Sequence, residues 1–65
     1  MAAARLPLAV QFRPMRQVDV PLVADMEARA YAFPWTAGIF RDCLNAGYQC
    51  WVAESEPGLL GYGVL

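Results

Sequence analysis

The sequence contains no histidine and no lysine, and its basic residues are five arginines. Without an imidazole, every histidine-based triad or general base is excluded. Arg5, Arg13, Arg16, Arg29 and Arg41 are dispersed along the chain and offset by six acidic residues, leaving a net charge of −1. The basic footprint that phosphate backbones require is therefore missing, and nucleic acid is not an expected partner. Two cysteines, Cys43 and Cys50, are too few for the disulfide framework of a small secreted domain. They also lack the close pairing of a zinc site, so no metal is expected and both read as buried thiols. The longest nearly charge-free run, residues 6–12, is far short of the ~20 residues that cross a bilayer, and no membrane association is expected. The apolar start is broken by Pro7 and precedes no cleavage region. Residues 1–8 accordingly read as a flexible cytoplasmic leader rather than a signal peptide.

What is present is apolar. Hydrophobic residues make up 58% of the 65 positions, above the roughly 45–50% of ordinary soluble domains. A chain this short buries only roughly 60% of the surface that its unfolded form exposes. More than one domain is excluded, as is a large internal active-site cavity. The surplus apolar surface is expected to meet something outside the chain.

Alternation in Ala9-Val10-Gln11-Phe12-Arg13 predicts a first strand that ends, or lies at an edge, at Pro14. A helix is predicted over residues 20–32. Asp19 is its N-cap, Pro21 falls in its first turn, and Leu22, Val23, Met26 and Ala30 form its buried stripe. Asp25 and Arg29 stand four apart and are placed to pair. Phe33-Pro34-Trp35 interrupts that helix, because proline disfavours helical geometry at the residue before it. Thr36 then caps a second helix over 37–46, with Trp35 and Phe40 at the positions of a hydrophobic staple. Ile39, Phe40, Cys43 and Leu44 face inward, Arg41, Asp42 and Asn45 face water, and Gly47 closes the helix.

From Tyr48 the period becomes two. Residues 48–54 and 59–65 read as a hairpin joined by Glu56-Pro57-Gly58-Leu59, with the type II arrangement of Pro second and Gly third. Gly61 and Gly63 leave one face of the last strand bare, a pattern associated with close approach of another backbone or a ligand. The pattern breaks off on Gly-Val-Leu, so residues 9–65 are expected to be part of a longer domain. An exposed last strand is expected to self-associate in the isolated chain.

The residues resemble a family. Phe12-Arg13-Pro14-Met15 followed by Asp19-Val20 looks like the opening of the GCN5-related N-acetyltransferase superfamily. Residues 26–36, Met-Glu-Ala-Arg-Ala-Tyr-Ala-Phe-Pro-Trp-Thr, resemble the ribosomal-protein-alanine N-acetyltransferases within it, as does the Phe40 of the second helix. Leu60-Gly61-Tyr62-Gly63-Val64-Leu65 is similar to the third strand of those enzymes. The resemblance covers residues 10–65. It implies an α+β fold of the acyltransferase type, here its β-α-α-β-β N-terminal portion with two helices and antiparallel strands. It also implies a parent enzyme that moves an acetyl group from acetyl-CoA, its cosubstrate, to the α-amine of a ribosomal protein N-terminus.

The family's pyrophosphate-binding turn and its later catalytic glutamate and tyrosine have no counterpart in these residues. No catalytic and no cofactor-binding residue is therefore assigned, and the acetyl-CoA-binding C-terminal half is an expected partner. The resemblance places the loop of Phe33, Pro34 and Trp35 beside the acceptor peptide, with Tyr31 and Glu27 as lesser candidates. For Glu27, attraction of a charged α-amine stands against plain solvation; for Phe33, a peptide contact stands against filling the core. Two rival functions remain open: acetylation of a small amine or antibiotic, and a non-enzymatic module that binds a partner through an exposed strand edge.

Overall fold

The computed structural model describes residues 9–65; the expected leader at 1–8 lies outside them. The elements run β1 (Gln11–Pro14), a 3-10 turn (Gln17–Asp19), α1 (Val20–Ala30), α2 (Ala37–Asn45), β2 (Cys50–Ser55) and β3 (Gly58–Val64). The fold is a small α+β arrangement with the strands in the order β1-β2-β3, both neighbours antiparallel. Among the described residues no helix is long and apolar enough to cross a membrane.

Side chains alternate across β2. Cys50 and Val52 are buried under the helices, while Trp51 and Ala53 turn to the other face. β1 pairs Arg13 with Val52 and Phe12 with Ala53, so Arg13 shares the helix side and Phe12, 74% exposed, the open side. Pro14 is the last residue of this edge strand, where its missing N–H breaks no ladder. β3 contains a bulge. Ala53 faces Gly61 but Glu54 faces Leu59, leaving Leu60 as the extra residue. The extra residue reverses the parity of the strand, so Leu59 joins Tyr62 and Val64 against the core.

The core comprises Met15, Val20, Val23, Phe40, Cys43, Cys50 and Val52. α1 presents Val20, Val23 and Glu27 to it, with Ala24 half-buried between them. The expected stripe is thus rotated: Leu22 is 59% exposed, Met26 is half-buried and Ala30 is exposed. Two polar anchors account for the rotation. Arg13 holds Asp19 at the start of α1, and Tyr62 holds Glu27 two turns later. Both anchors lie on the Val20–Val23 side. The Asp25–Arg29 pair forms as expected, at 2.9 Å on the water side, and contributes only a few tenths of a kcal/mol, roughly.

Asp19 occupies the N-cap of α1, yet its side chain accepts no hydrogen bond from the first turn. Arg13 takes both carboxylate oxygens instead, from Nη1 at 2.8 Å and Nη2 at 2.9 Å, and the Arg16 N–H adds a third bond at 2.8 Å. A bidentate guanidinium competes better for the carboxylate than two neutral amides do.

α2 keeps the caps its sequence signals, but Ile39, expected to face inward, is exposed; Phe40 and Cys43 are buried, and Ala37 and Leu44 pack beside them. Thr36 Oγ1 accepts from the Ile39 N–H, and the Trp35 and Phe40 rings meet edge to face with centroids 5.5 Å apart. At the other end the Tyr48 N–H reaches the Cys43 carbonyl and the Gly47 N–H reaches that of Leu44. Gly47, at φ 86°, completes a Schellman closure. The hairpin shifts by one residue from its expected frame. Ser55 pairs with Gly58, so Glu56 and Pro57 are the two loop residues, and Gly58, at φ 146°, opens β3. Pairing wins over the local turn signature because the closing Ser55–Gly58 pair extends the ladder.

Candidate functional site

The join between the two helices gathers most of the residues singled out from the sequence. α1 stops at Tyr31, whose backbone is extended and whose N–H closes the last turn on the Glu27 carbonyl at 3.2 Å. Pro34 then holds Phe33 outside helical space. Phe33 is 95% exposed and Tyr31 60%, so Phe33 does not fill the core. Trp35 is 43% exposed: one part of its indole packs on Phe40 and the rest faces solvent. Pro34, between Phe33 and Trp35, is half-buried.

Glu27 lies under this loop and is buried, which removes the solvated reading. Its Oε2 accepts the Trp35 backbone N–H at 3.0 Å, and its Oε1 accepts the hydroxyl proton of Tyr62. One carboxylate thus joins α1, the loop and β3. Among the described residues no basic side chain pairs with it. Both oxygens accept from neutral donors of the protein itself, and the buried carboxylate presents little surface to the expected substrate α-amine. Phe40 completes the arrangement, lying edge-on to Tyr62 with centroids 5.7 Å apart, as it does to Trp35. Such ring pairs add about 0.5–1.5 kcal/mol beyond their buried area.

Burial and, next, the bond to the Glu27 carboxylate push the Tyr62 hydroxyl up to about 12. It therefore remains a proton donor throughout the neutral range.

Sequence reasoning missed Tyr62. The signal was present: Gly61 and Gly63 mark one face of β3, so Tyr62 between them had to point to the other, toward the helices. The position of Glu27, seven residues after Val20 and four after Val23, likewise placed it on their face. Leu22 and Met26, being more hydrophobic, drew the stripe to the wrong side. They line a surface groove with Pro57 and Leu59 instead.

The second polar cluster, Arg13 with Asp19 and Glu54, stands at the start of α1 and against the sheet. It ties β1, the 3-10 turn and β2 together. Cys43 and Cys50 are buried and free. Burial, followed by the neighbouring Cys43, raises the Cys50 thiol above its ordinary value, which keeps it an unreactive thiol near neutral pH. Among the described residues no group of three metal-ligating side chains converges.

A CoA pyrophosphate is held by free N–H groups at a helix start behind a glycine turn. α1 has Pro21, with no N–H, in its first turn and the Asp19 carboxylate beside it. α2 begins behind Pro34-Trp35-Thr36, and Thr36 already takes the Ile39 N–H. Gly61-Tyr62-Gly63 lies within β3, not before a helix. Among the described residues, neither helix start nor Gly61-Tyr62-Gly63 offers such a cradle.

The fold and the loop define a small α+β unit that displays aromatic side chains on a turn anchored from beneath. Comparison with protein families, characterised proteins and solved structures yields no match.

Proposed function

We propose that this chain is the acceptor-binding, N-terminal portion of a cytoplasmic acetyl-CoA-dependent N-acetyltransferase whose substrate is the α-amine of a ribosomal protein beginning with alanine. One observation carries the reading: Tyr31, Phe33 and Trp35 stand exposed on a turn whose backbone is pinned by Pro34, by the Thr36 cap and by Glu27. Rigid aromatic groups beside a sheet suit the side chains of an extended peptide. The β-α-α-β-β order and the Ala-Phe-Pro-Trp-Thr loop support the same assignment. In this reading the amine attacks the thioester directly. Acetyl-CoA and the proton-transferring residues belong to the remainder of the enzyme.

The reading is tested by titrating the chain, observed by NMR, with a short peptide of free N-terminal alanine from a ribosomal protein. Binding on the order of 1 mM, about −4 kcal/mol, is expected, with the largest shifts at residues 31–36. CoA alone is expected to give none. Micromolar CoA binding, or peptide shifts confined to other surfaces, contradicts the assignment. Deleting the full gene and weighing ribosomal proteins by mass spectrometry tests the substrate, and an unchanged acetylation pattern removes it.

A further inference from the structure

We propose that Glu27 and Tyr62 are positioning residues that set the aromatic loop on the sheet, Glu27 holding the loop backbone and Tyr62 holding Glu27. The inference rests on the loop being the peptide-facing surface, and it extends that surface to a strand the peptide does not need to touch.

The geometry is specific. Of the loop's backbone N–H groups, that of Trp35 points inward onto Glu27 Oε2 at 3.0 Å. It belongs to the residue whose ring is half packed and half presented. A shift of this one amide moves the indole relative to Phe40 and moves Phe33, two residues earlier, with it. Glu27 is buried and has no arginine to orient it among the described residues. Its orientation is left to Tyr62, which donates to the other oxygen from the middle of β3. The Phe40 ring touches both Trp35 and Tyr62 edge-on, so the polar chain and the aromatic chain run side by side between the same two end points. The loop therefore stands at a height set by β3 rather than by either helix alone. A carboxylate suits this post, since its two oxygens take two donors arriving from opposite sides.

The experiment uses the 65-residue chain with three substitutions and two readouts: amide exchange of Trp35 and titration with the free-alanine peptide. Glu27→Met removes both acceptors, and the Trp35 amide is expected to exchange at least about tenfold faster, the lower end of the factor for one lost hydrogen bond to a charged group. Glu27→Gln is the conservative rescue. Its oxygen accepts the Trp35 N–H, its amide donates to the Tyr62 oxygen, and exchange returns to within about threefold of the parent, half a decade on the same scale. Tyr62→Phe keeps the ring against Phe40 and removes only the hydroxyl; Trp35 exchange is expected to rise while β2 amides stay protected. Peptide affinity is expected to fall in the order in which exchange rises.

Should Glu27→Met fail to fold, Tyr62→Phe carries the decision, because it leaves the packing intact. Unchanged Trp35 exchange in folded Glu27→Met or in Tyr62→Phe overturns the proposal, as does Glu27→Gln behaving like Glu27→Met. A parent chain that ignores the peptide defeats the acceptor-binding reading, while the exchange rates still decide the positioning role.

Discussion

Arg13, on the inner face of β1, grips Asp19 at the start of α1 through two hydrogen bonds of 2.8 and 2.9 Å, one to each carboxylate oxygen. The Asp19 side chain retains only 7% of its exposure. The guanidinium, aided by the Arg16 N–H and against the opposing effect of burial, lowers the Asp19 carboxyl from 3.8 to about 2. A carboxyl whose folded value is depressed stabilises the fold above its unfolded value, and that stability is lost as pH falls through the folded value. Stability is therefore expected to be level above about pH 5 and to drop by about 2 kcal/mol between pH 5 and 2 from this group. Urea midpoints across that range measure it. Asp19→Asn should be weaker at pH 7 and should flatten the profile. Arg13→Lys should recover little, since an ammonium cannot bridge both oxygens.

Phe40 is the largest fully buried side chain, and it touches the rings of both Trp35 and Tyr62. Phe40→Ala removes both edge contacts and leaves a cavity, at about 3–5 kcal/mol. A chain of this length holds about 5 kcal/mol in total, so the variant is expected to lose its cooperative unfolding transition at 25 °C by circular dichroism. Phe40→Leu, which fills most of the volume, is expected to cost less than about 1.5 kcal/mol and to keep a measurable transition. Equal urea midpoints for Phe40→Ala and the parent would refute the packing argument.

The parts of this fold legible in the sequence are those set by local chemistry. Thr36, Trp35 with Phe40, and Gly47 each act within a few residues of where they stand, and α2 forms between them as its signals require. α1 was legible as a helix but not in its rotation. That rotation is settled by Arg13 and Tyr62, which lie on strands and reach Asp19 and Glu27 across the chain. Turn chemistry at Pro57-Gly58 was likewise outweighed by strand pairing, and the bulge at Leu60, which decides the face that Leu59 takes, leaves no local signature. For the candidate site, the exposed loop was visible in Phe33-Pro34-Trp35. Its anchor was legible only as spacing, Glu27 recurring on the face of Val20 and Val23 and Tyr62 alternating with Gly61 and Gly63, and the more hydrophobic Leu22 and Met26 outweighed that spacing.

Glycines at Gly47 and Gly63 separate two kinds of constraint. An added Cβ meets nothing within 4 Å at either position, but Gly47 alone has φ in the left-handed region, at 86°. Gly47→Ala is expected to cost about 1–2 kcal/mol through backbone strain with no clash. Gly63→Ala is expected to be neutral or to stabilise β3 by up to about 1 kcal/mol, because glycine loses more freedom on folding. The same comparison bears on the bare strand face, where no close backbone approaches among the described residues. A marked loss of stability in Gly63→Ala would show that the open face, where Phe12 and Trp51 flank Ala53, Gly61 and Gly63, is covered in solution.

Tyr62 supplies the alkaline counterpart of Asp19. Burial and the Glu27 carboxylate raise its hydroxyl from 10.0 to about 12, so the folded chain keeps the proton that the unfolded chain releases. A group raised in this way stabilises fully below its unfolded value, and the stability disappears as pH climbs through the folded value. Urea midpoints are expected to hold up to pH 10 and then to fall between 10 and 12, with the Tyr62 phenolate absorbing only at the top of that range. Tyr62→Phe removes the late phenolate step and the slope together. Glu27→Gln lowers the step without abolishing it, because burial, the larger cause, persists while the negative neighbour is gone. A phenolate titration in Tyr62→Phe that matches the parent would place the tyrosine hydroxyl in water and detach β3 from the loop.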